Sequence, residues 1–261
     1  VTPLLEARDL KRTFGAVVAA ANVNVAVGER EVVGVIGANG AGKTTFVNMV
    51  TGYVKPSAGE VRYRGRDITR LAPREIARLG ISRSFQIPQL FGELAAVDNV
   101  LVALGVAREK GFGRLRPLSR GDMRAAAASV LARFGLENYA GQRAGTLPQG
   151  VRKLLDIAVS TVGEPRLMLL DEPTSGISVD EKFQIMDTLM SALARAEVTV
   201  MFIEHDMEIV ERYGSRVIAF YEGQVIADGE PKQVLADPDV RQYVVGTELH
   251  RRGAPRGGPA C

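Results

Sequence analysis

An α/β fold is expected from the way this sequence punctuates its apolar runs. Glu31 to Ile36 is apolar and β-branched, the composition of a buried parallel strand, and it runs into Gly37-Ala38-Asn39-Gly40-Ala41-Gly42-Lys43-Thr44. Thr45 to Val50 then continues as a helix, so a glycine-rich turn closes a strand and opens a helix. Further on, Pro165 to Pro173 and Val198 to Asp206 are two more buried strands, one ending in Asp171-Glu172 and the other in His205.

The remaining segments fit the same class. Leu4 to Leu10 and Ala16 to Val27 predict two or three strands before the glycine-rich turn, and Gly28-Glu29 is the turn into the buried strand. Lys55 to Gly59 is a turn, and Glu60 to Arg66 alternates like a strand with a solvated arginine face. Pro73 to Gly80 has proline at a helix start and glycine at its stop. Ile81 to Gln86 returns to the sheet and leaves Gln86 at a strand's C-terminal end, where open α/β sheets bind ligands.

From Ile87 to about Thr161 helical patterns dominate, with Val97 to Val106 and Met123 to Phe134 as helices and Arg108 to Gly121 as a flexible loop. Val151 to Val162 carries apolar residues at 151, 154, 155, 158, 159 and 162, one helical face. Arg216 to Tyr221 and Gln224 to Ala227 form a strand pair joined at Glu222-Gly223, followed by a short helix and a closing one at Asp239 to Val245. His250 to Cys261, rich in Arg, Gly and Pro, is expected to be disordered.

Composition narrows the class. At 261 residues and 28.1 kDa, with 46% hydrophobic and 24% charged residues, the chain is an ordinary globular sequence able to bury a large core. Its 33 basic and 30 acidic residues nearly balance, so the formal charge of +3 does not point to nucleic acid. Cys261 is the only cysteine, which excludes an intrachain disulfide and any multi-cysteine metal site and fits a reducing cytosolic setting. No secretory leader is expected at the N-terminus, and no apolar run approaches the roughly 18 residues of a membrane span, so a crossing would have to come from another chain.

The glycine-rich turn has the form G-x-x-x-x-G-K-[ST] of a phosphate-binding loop. Glycines at 37, 40 and 42 let successive N–H groups point at a phosphate, Lys43 can reach the β/γ oxygens, and Thr44 can offer its hydroxyl to Mg²⁺. Asp171 at a strand end is the carboxylate that such a site needs near the metal, and Glu172 can orient and deprotonate a water. His205 is either bonded to backbone or in contact with phosphate. Phe14, at the Phe14-Gly15 turn, is either a half-buried core residue or a ring for stacking on a base.

Taken together, the phosphate loop, Gln86, Leu147-Pro148-Gln149-Gly150 opening a helix, Leu167 to Glu172 and His205 resemble the nucleotide-binding subunit of an ABC transporter, over Leu4 to about Gly246. Arg83 to Gln86, Asp171 to Gly176, Ile203 to Met207 and the ending through Tyr243-Val244-Val245-Gly246 are similar to subunits of importers for branched-chain amino acids and related amides. The resemblance implies a P-loop NTPase core of ABC type, with an antiparallel β subdomain, over 1–86 and 162–246. A helical signature subdomain is inserted at 87–161, and a tail follows at 247–261.

It also implies ATP and Mg²⁺ as cofactors and a head-to-tail dimer with a second nucleotide-binding subunit, identical or paralogous. Integral membrane permease subunits would dock near Gln86 and 87–100 on the cytoplasmic face of the cell membrane, with a solute-binding protein as an indirect partner. Nucleotide contacts fall to Gly37, Asn39, Gly40, Ala41, Gly42, Lys43, Thr44 and Thr45, to Phe14 stacked on adenine, and to Gly150 acting in trans. Mg²⁺ falls to Thr44, Gln86 and Asp171, the last through water, and catalysis to Glu172, His205 and Gln86.

Two departures from the family pattern stand out. Leu-Ser-Gly-Gly-Gln is here Leu147-Pro148-Gln149-Gly150-Val151, and Ser178 stands where an aspartate is usual after the Asp-Glu strand. They bear on coupling and turnover, and the altered signature leaves open a weakly hydrolysing regulatory subunit; a non-transport ABC ATPase, an ATP-switched clamp, is the other alternative to the importer.

Overall fold

A computed structural model describes residues 2–84, 88–109 and 120–246. Gln86, most of the loop expected over 108–121, and the tail from 247 lie outside the described residues. The chain forms two compact units, 1–71 together with 203–261, and 72–202.

The first unit opens with β1 (Leu5–Phe14) and β2 (Val17–Val27), an antiparallel pair turned at Gly15, then β3 (Val32–Gly37) and α1 (Lys43–Val50). β4 (Ala58–Tyr63) and β5 (Arg66–Asp67) complete a four-stranded sheet in the order β2-β1-β4-β5. The single strand expected over 60–66 is therefore a hairpin. Arg64 and Gly65 have φ of 51° and 77°, a left-handed pair that makes the tight turn matching strand twist.

In the second unit α2 (Pro73–Arg78) leads into β6 (Ile81–Arg83). α3 (Ala96–Glu109), α4 (Arg120–Arg133) and α5 (Gln149–Thr161) pack on one another. β7 (Leu167–Asp171) pairs parallel with β6, and α6 (Val179–Arg195) and β8 (Thr199–Ile203) follow. β7 and β8 are buried at every residue, which is why they read as unbroken apolar runs rather than alternating ones.

The expectation of one apolar face on the signature helix needs correction. α5 starts at Gln149 and is buried almost all round, with Lys153 and Asp156 inside and Val151, Val159 and Val162 only half-buried.

The chain then returns to the first unit through α7 (Met207–Tyr213), β9 (Arg216–Tyr221), β10 (Gln224–Gly229), α8 (Pro231–Ala236) and α9 (Pro238–Val240). The closing helix expected over 239–245 is α9 followed by a π-helical turn at Arg241–Val245. β9 pairs parallel with β3, from Val33 against Arg216 to Gly37 against Phe220, and antiparallel with β10. Phe46 of α1 packs on Phe220 with ring centroids 5.5 Å apart, which seats the helix on the strand pair.

Candidate functional site

The first unit carries the glycine-rich loop between β3 and α1. A Cβ on Gly37 would come within 2.5 Å of the Phe220 carbonyl oxygen, and one on Gly42 within 2.5 Å of that of Ala19, so no side chain fits at either position. The β9–β10 turn braces the loop from behind: Gly223 N–H donates to the Ala41 carbonyl at 3.0 Å, and Ala21 N–H donates to the Gly223 carbonyl at 2.8 Å.

Lys43 is buried, and its ammonium donates to the carbonyls of Gly37 at 2.5 Å and Ala38 at 3.0 Å, which holds the charge against the loop. Thr44, Asn39 and Gly40 are exposed. The first turn of α1 contains no acidic residue, so its positive end is not neutralised from within.

Phe14, at the end of β1, is 45% exposed beside exposed Val17 and Val18, which removes the reading of a core residue. The Arg12 guanidinium lies 4.5 Å over the ring, anchored by its bond to the Lys55 carbonyl at 3.0 Å. His205 follows β8, half-buried, its N–H 3.3 Å from Glu204 Oε2. Glu204 is buried and donates its own N–H to the Val35 carbonyl at 3.4 Å. Asp206 caps α7 by accepting Glu208 N–H at 3.0 Å, and so fixes how the chain leaves the strand past His205.

The second unit carries the carboxylates. Asp171 ends β7 buried, and Arg83 from the neighbouring β6 donates to its Oδ2 at 2.7 Å; both side chains are almost wholly out of water. Glu172 is half-buried and adopts φ of 49°. Its carbonyl accepts Ser175 N–H at 3.1 Å and the Lys153 ammonium at 2.7 Å.

α5 begins beside this turn. Pro148 is its N-cap, without a side-chain cap, and the first helical bond runs from Arg152 N–H to the Pro148 carbonyl at 2.9 Å. The N–H groups of Gln149, Gly150 and Val151 therefore stand ahead of the ladder. The Gln149 side chain bonds the Ser175 carbonyl at 3.4 Å. Ser178 takes the N-cap position of α6 and donates its hydroxyl to Glu181 Oε2 at 2.7 Å, a bond that an aspartate there could not make.

Sequence reasoning assigned nothing to Lys153 and Asp156. Burial pushes the Asp156 carboxyl above its ordinary range, against the pull of Gln89 N–H at 2.8 Å and of the Lys153 charge. The sequence held no signal for this: Lys153 and Asp156 fall with Gln149, Arg152 and Ser160 on what reads as a solvated helical face.

Comparison with known proteins gives the family. The ABC transporter family matches residues 20–175. The high-affinity branched-chain amino acid transport ATP-binding protein BraF of Pseudomonas aeruginosa is 36% identical over 250 residues, covering 94% of this chain and 98% of the relative. Among solved structures, the ADP conformation of MJ1267, an ATP-binding cassette of an ABC transporter, superposes with a TM-score of 0.80 at 28% identity, over 93% of this chain and 98% of that one. A dimeric post-hydrolysis state of the cassette MJ0796, bound to ADP and Pi, gives 0.74 at 25% identity over 87% of this chain and 98% of that one. The chain belongs to the ABC transporter family. It is an ATP-binding subunit with the α/β P-loop NTPase fold of that family and an ATPase.

Proposed function

We propose that this chain hydrolyses ATP to drive an importer of branched-chain amino acids, as a peripheral subunit on the cytoplasmic face of the membrane. The observation that carries the reading is that one chain holds both an intact phosphate loop, with Lys43 buried in it, and a buried strand ending in Asp171-Glu172. The relative named above is a branched-chain amino acid transport ATP-binding protein, which supports the solute. Among the described residues no helix is long and apolar enough to cross a membrane, and in this reading permease subunits provide the solute path.

In this reading the loop N–H groups and Lys43 bind the β/γ-phosphates, with Asn39, Ala41 and Thr45 contributing around them. Phe14 offers adenine the ring face opposite Arg12, and His205 contacts the γ-phosphate. Glu172 accepts the proton of the attacking water. Gln86, with Thr44 and Asp171, serves Mg²⁺ and that water.

The donor types are ones that Mg²⁺ takes: Thr44 offers an exposed hydroxyl, and Asp171, with one oxygen on Arg83, is a carboxylate, and water and phosphate would supply the other oxygens. When bound, Mg²⁺ neutralises charge on the β- and γ-oxygens. A second nucleotide-binding subunit, identical or paralogous, presents its Gly150 stretch to this chain's ATP.

The test is ATP-dependent uptake of labelled leucine, isoleucine and valine by proteoliposomes holding the subunit with its permease. Lys43→Ala should weaken ATP binding about tenfold or more, since it removes a charge-assisted contact. Equilibrium binding of a fluorescent ATP analogue measures this, and unchanged affinity would mean that the loop is not used as described.

Permease docking is assigned to an apolar cavity of about 360 Å³ in the second unit, lined by Ile81, Gln89, Phe91, Val102, Val106 and Val159. Phe91, Val102 and Val106 are exposed there, and an amphipathic helix of the permease is the occupant that would cover them. Val102→Glu should release the subunit from permease-containing membranes and leave nucleotide binding intact. Retention at the wild-type level in a sedimentation assay would move the docking site elsewhere.

A further inference from the structure

Lys153 is 4% exposed in the middle of α5, and its ammonium lies 2.7 Å from the Glu172 carbonyl oxygen. A buried ammonium is costly unless it is paired. Here the Glu172 carbonyl oxygen is its partner, and Asp156, one turn further along the same helix and bonded by Gln89 N–H at 2.8 Å, is an acidic group that feels the Lys153 charge.

The carbonyl that Lys153 bonds is an unusual one. With φ of 49°, Glu172 sits in the left-handed region that side-chain-bearing residues avoid, and such a conformation persists only where its surroundings over-determine it. Ser175 N–H and the Lys153 ammonium do this together, since they occupy both lone pairs of the oxygen. Ser175 belongs to the same turn and moves with Glu172. Lys153 is the anchor from another element.

We propose that Lys153 is a positioning residue for the catalytic carboxylate: held inside α5, it pins the Glu172 carbonyl and so sets the direction in which the Glu172 side chain leaves the end of β7. This rests on Glu172 being the general base. Lys153 touches Glu172 only through the main chain, so its loss should disturb the geometry of the chemical step and spare nucleotide binding, which the phosphate loop provides.

The experiment measures ATPase kinetics and fluorescent-ATP binding on the 261-residue chain at saturating Mg²⁺. Lys153→Met keeps the side-chain length and removes the donor. It should lower kcat by about thirty- to a hundredfold, with KM and nucleotide affinity within about twofold of wild type. Lys153→Arg, which retains a charged donor, should recover kcat to within about fivefold.

A Lys153→Met kcat within about twofold of wild type overturns the proposal. So does a joint loss of kcat, KM and affinity that Lys153→Arg does not rescue, which marks a purely structural lysine. If Lys153→Met does not fold, Lys153→Met combined with Asp156→Leu removes both buried groups together, and the same split between kcat and KM is required of it. Glu172→Gln run in parallel separates the two readings. Wild-type turnover in Glu172→Gln removes the general base itself, whereas wild-type turnover in Lys153→Met beside an inactive Glu172→Gln removes only the role of Lys153.

Discussion

Glu172→Gln is expected to stop steady-state hydrolysis, by at least about a hundredfold, while ATP still binds. The amide matches the carboxylate in shape and can still hold a water, but it cannot accept that water's proton. Nothing else in the site should change. Glutamine meets the left-handed backbone at 172 at the same steric cost as glutamate, and the two bonds that fix this turn go to the main-chain carbonyl, which the substitution leaves in place. The trapped ATP should hold two subunits together, so size-exclusion chromatography with ATP should show a dimer that the wild type loses on turnover. Phosphate release at a near wild-type rate would remove Glu172 from the mechanism. The contrast with Lys43→Ala is the useful part, because one variant should lose turnover with binding intact and the other should lose binding itself.

The parts of this site that could be read from the sequence are those whose chemistry is contiguous in the chain. The phosphate loop announces itself because its glycines, lysine and threonine occupy eight consecutive residues between a strand and a helix. Asp171-Glu172 was legible because a strand buried on both faces shows as an unbroken apolar run, and its end is where the carboxylates fall. Contacts made across strands or helices left no local trace. Arg83 meets Asp171 only because β6 pairs with β7 in the register that sets Arg83 opposite Leu169, and a three-residue strand carries no pattern to foretell it. Lys153 escaped because helical periodicity assigns charges to a solvated face, whereas the packing of α5 against α3, α4 and α6 leaves little of it solvated. The Arg64-Gly65 turn was hidden by the arginines on either side, which kept the alternation of a strand going through a hairpin.

Gly150→Asp is expected to reduce ATPase activity of the subunit with its permease to background, and this outcome tests whether the altered signature still works as one. The substitution of Pro148 for serine removes one neutral hydroxyl contact, worth about 0.5–1.5 kcal/mol, or roughly a tenfold change in closure at most. The N–H groups of Gln149, Gly150 and Val151 remain ahead of the helical ladder, and the first turn of α5 holds no acidic residue. The positive end of the helix is thus still available to a partner's γ-phosphate, and the site should be slow but competent. A carboxylate at 150 sets like charge against that phosphate at close range. It should do so without unfolding the chain. A Cβ there meets Ile185 Cδ1 at 3.0 Å, the flexible end of a side chain, and an aspartate in the first turn favours the helix by about 0.3–1 kcal/mol. The melting temperature should therefore hold or shift only slightly while activity disappears, and Gly150→Ala, which adds the same Cβ without the charge, should lose no more than about tenfold. If Gly150→Asp hydrolyses like the wild type, Leu147 to Val151 is a helix start and nothing more, and closure of the dimer over ATP does not pass through it.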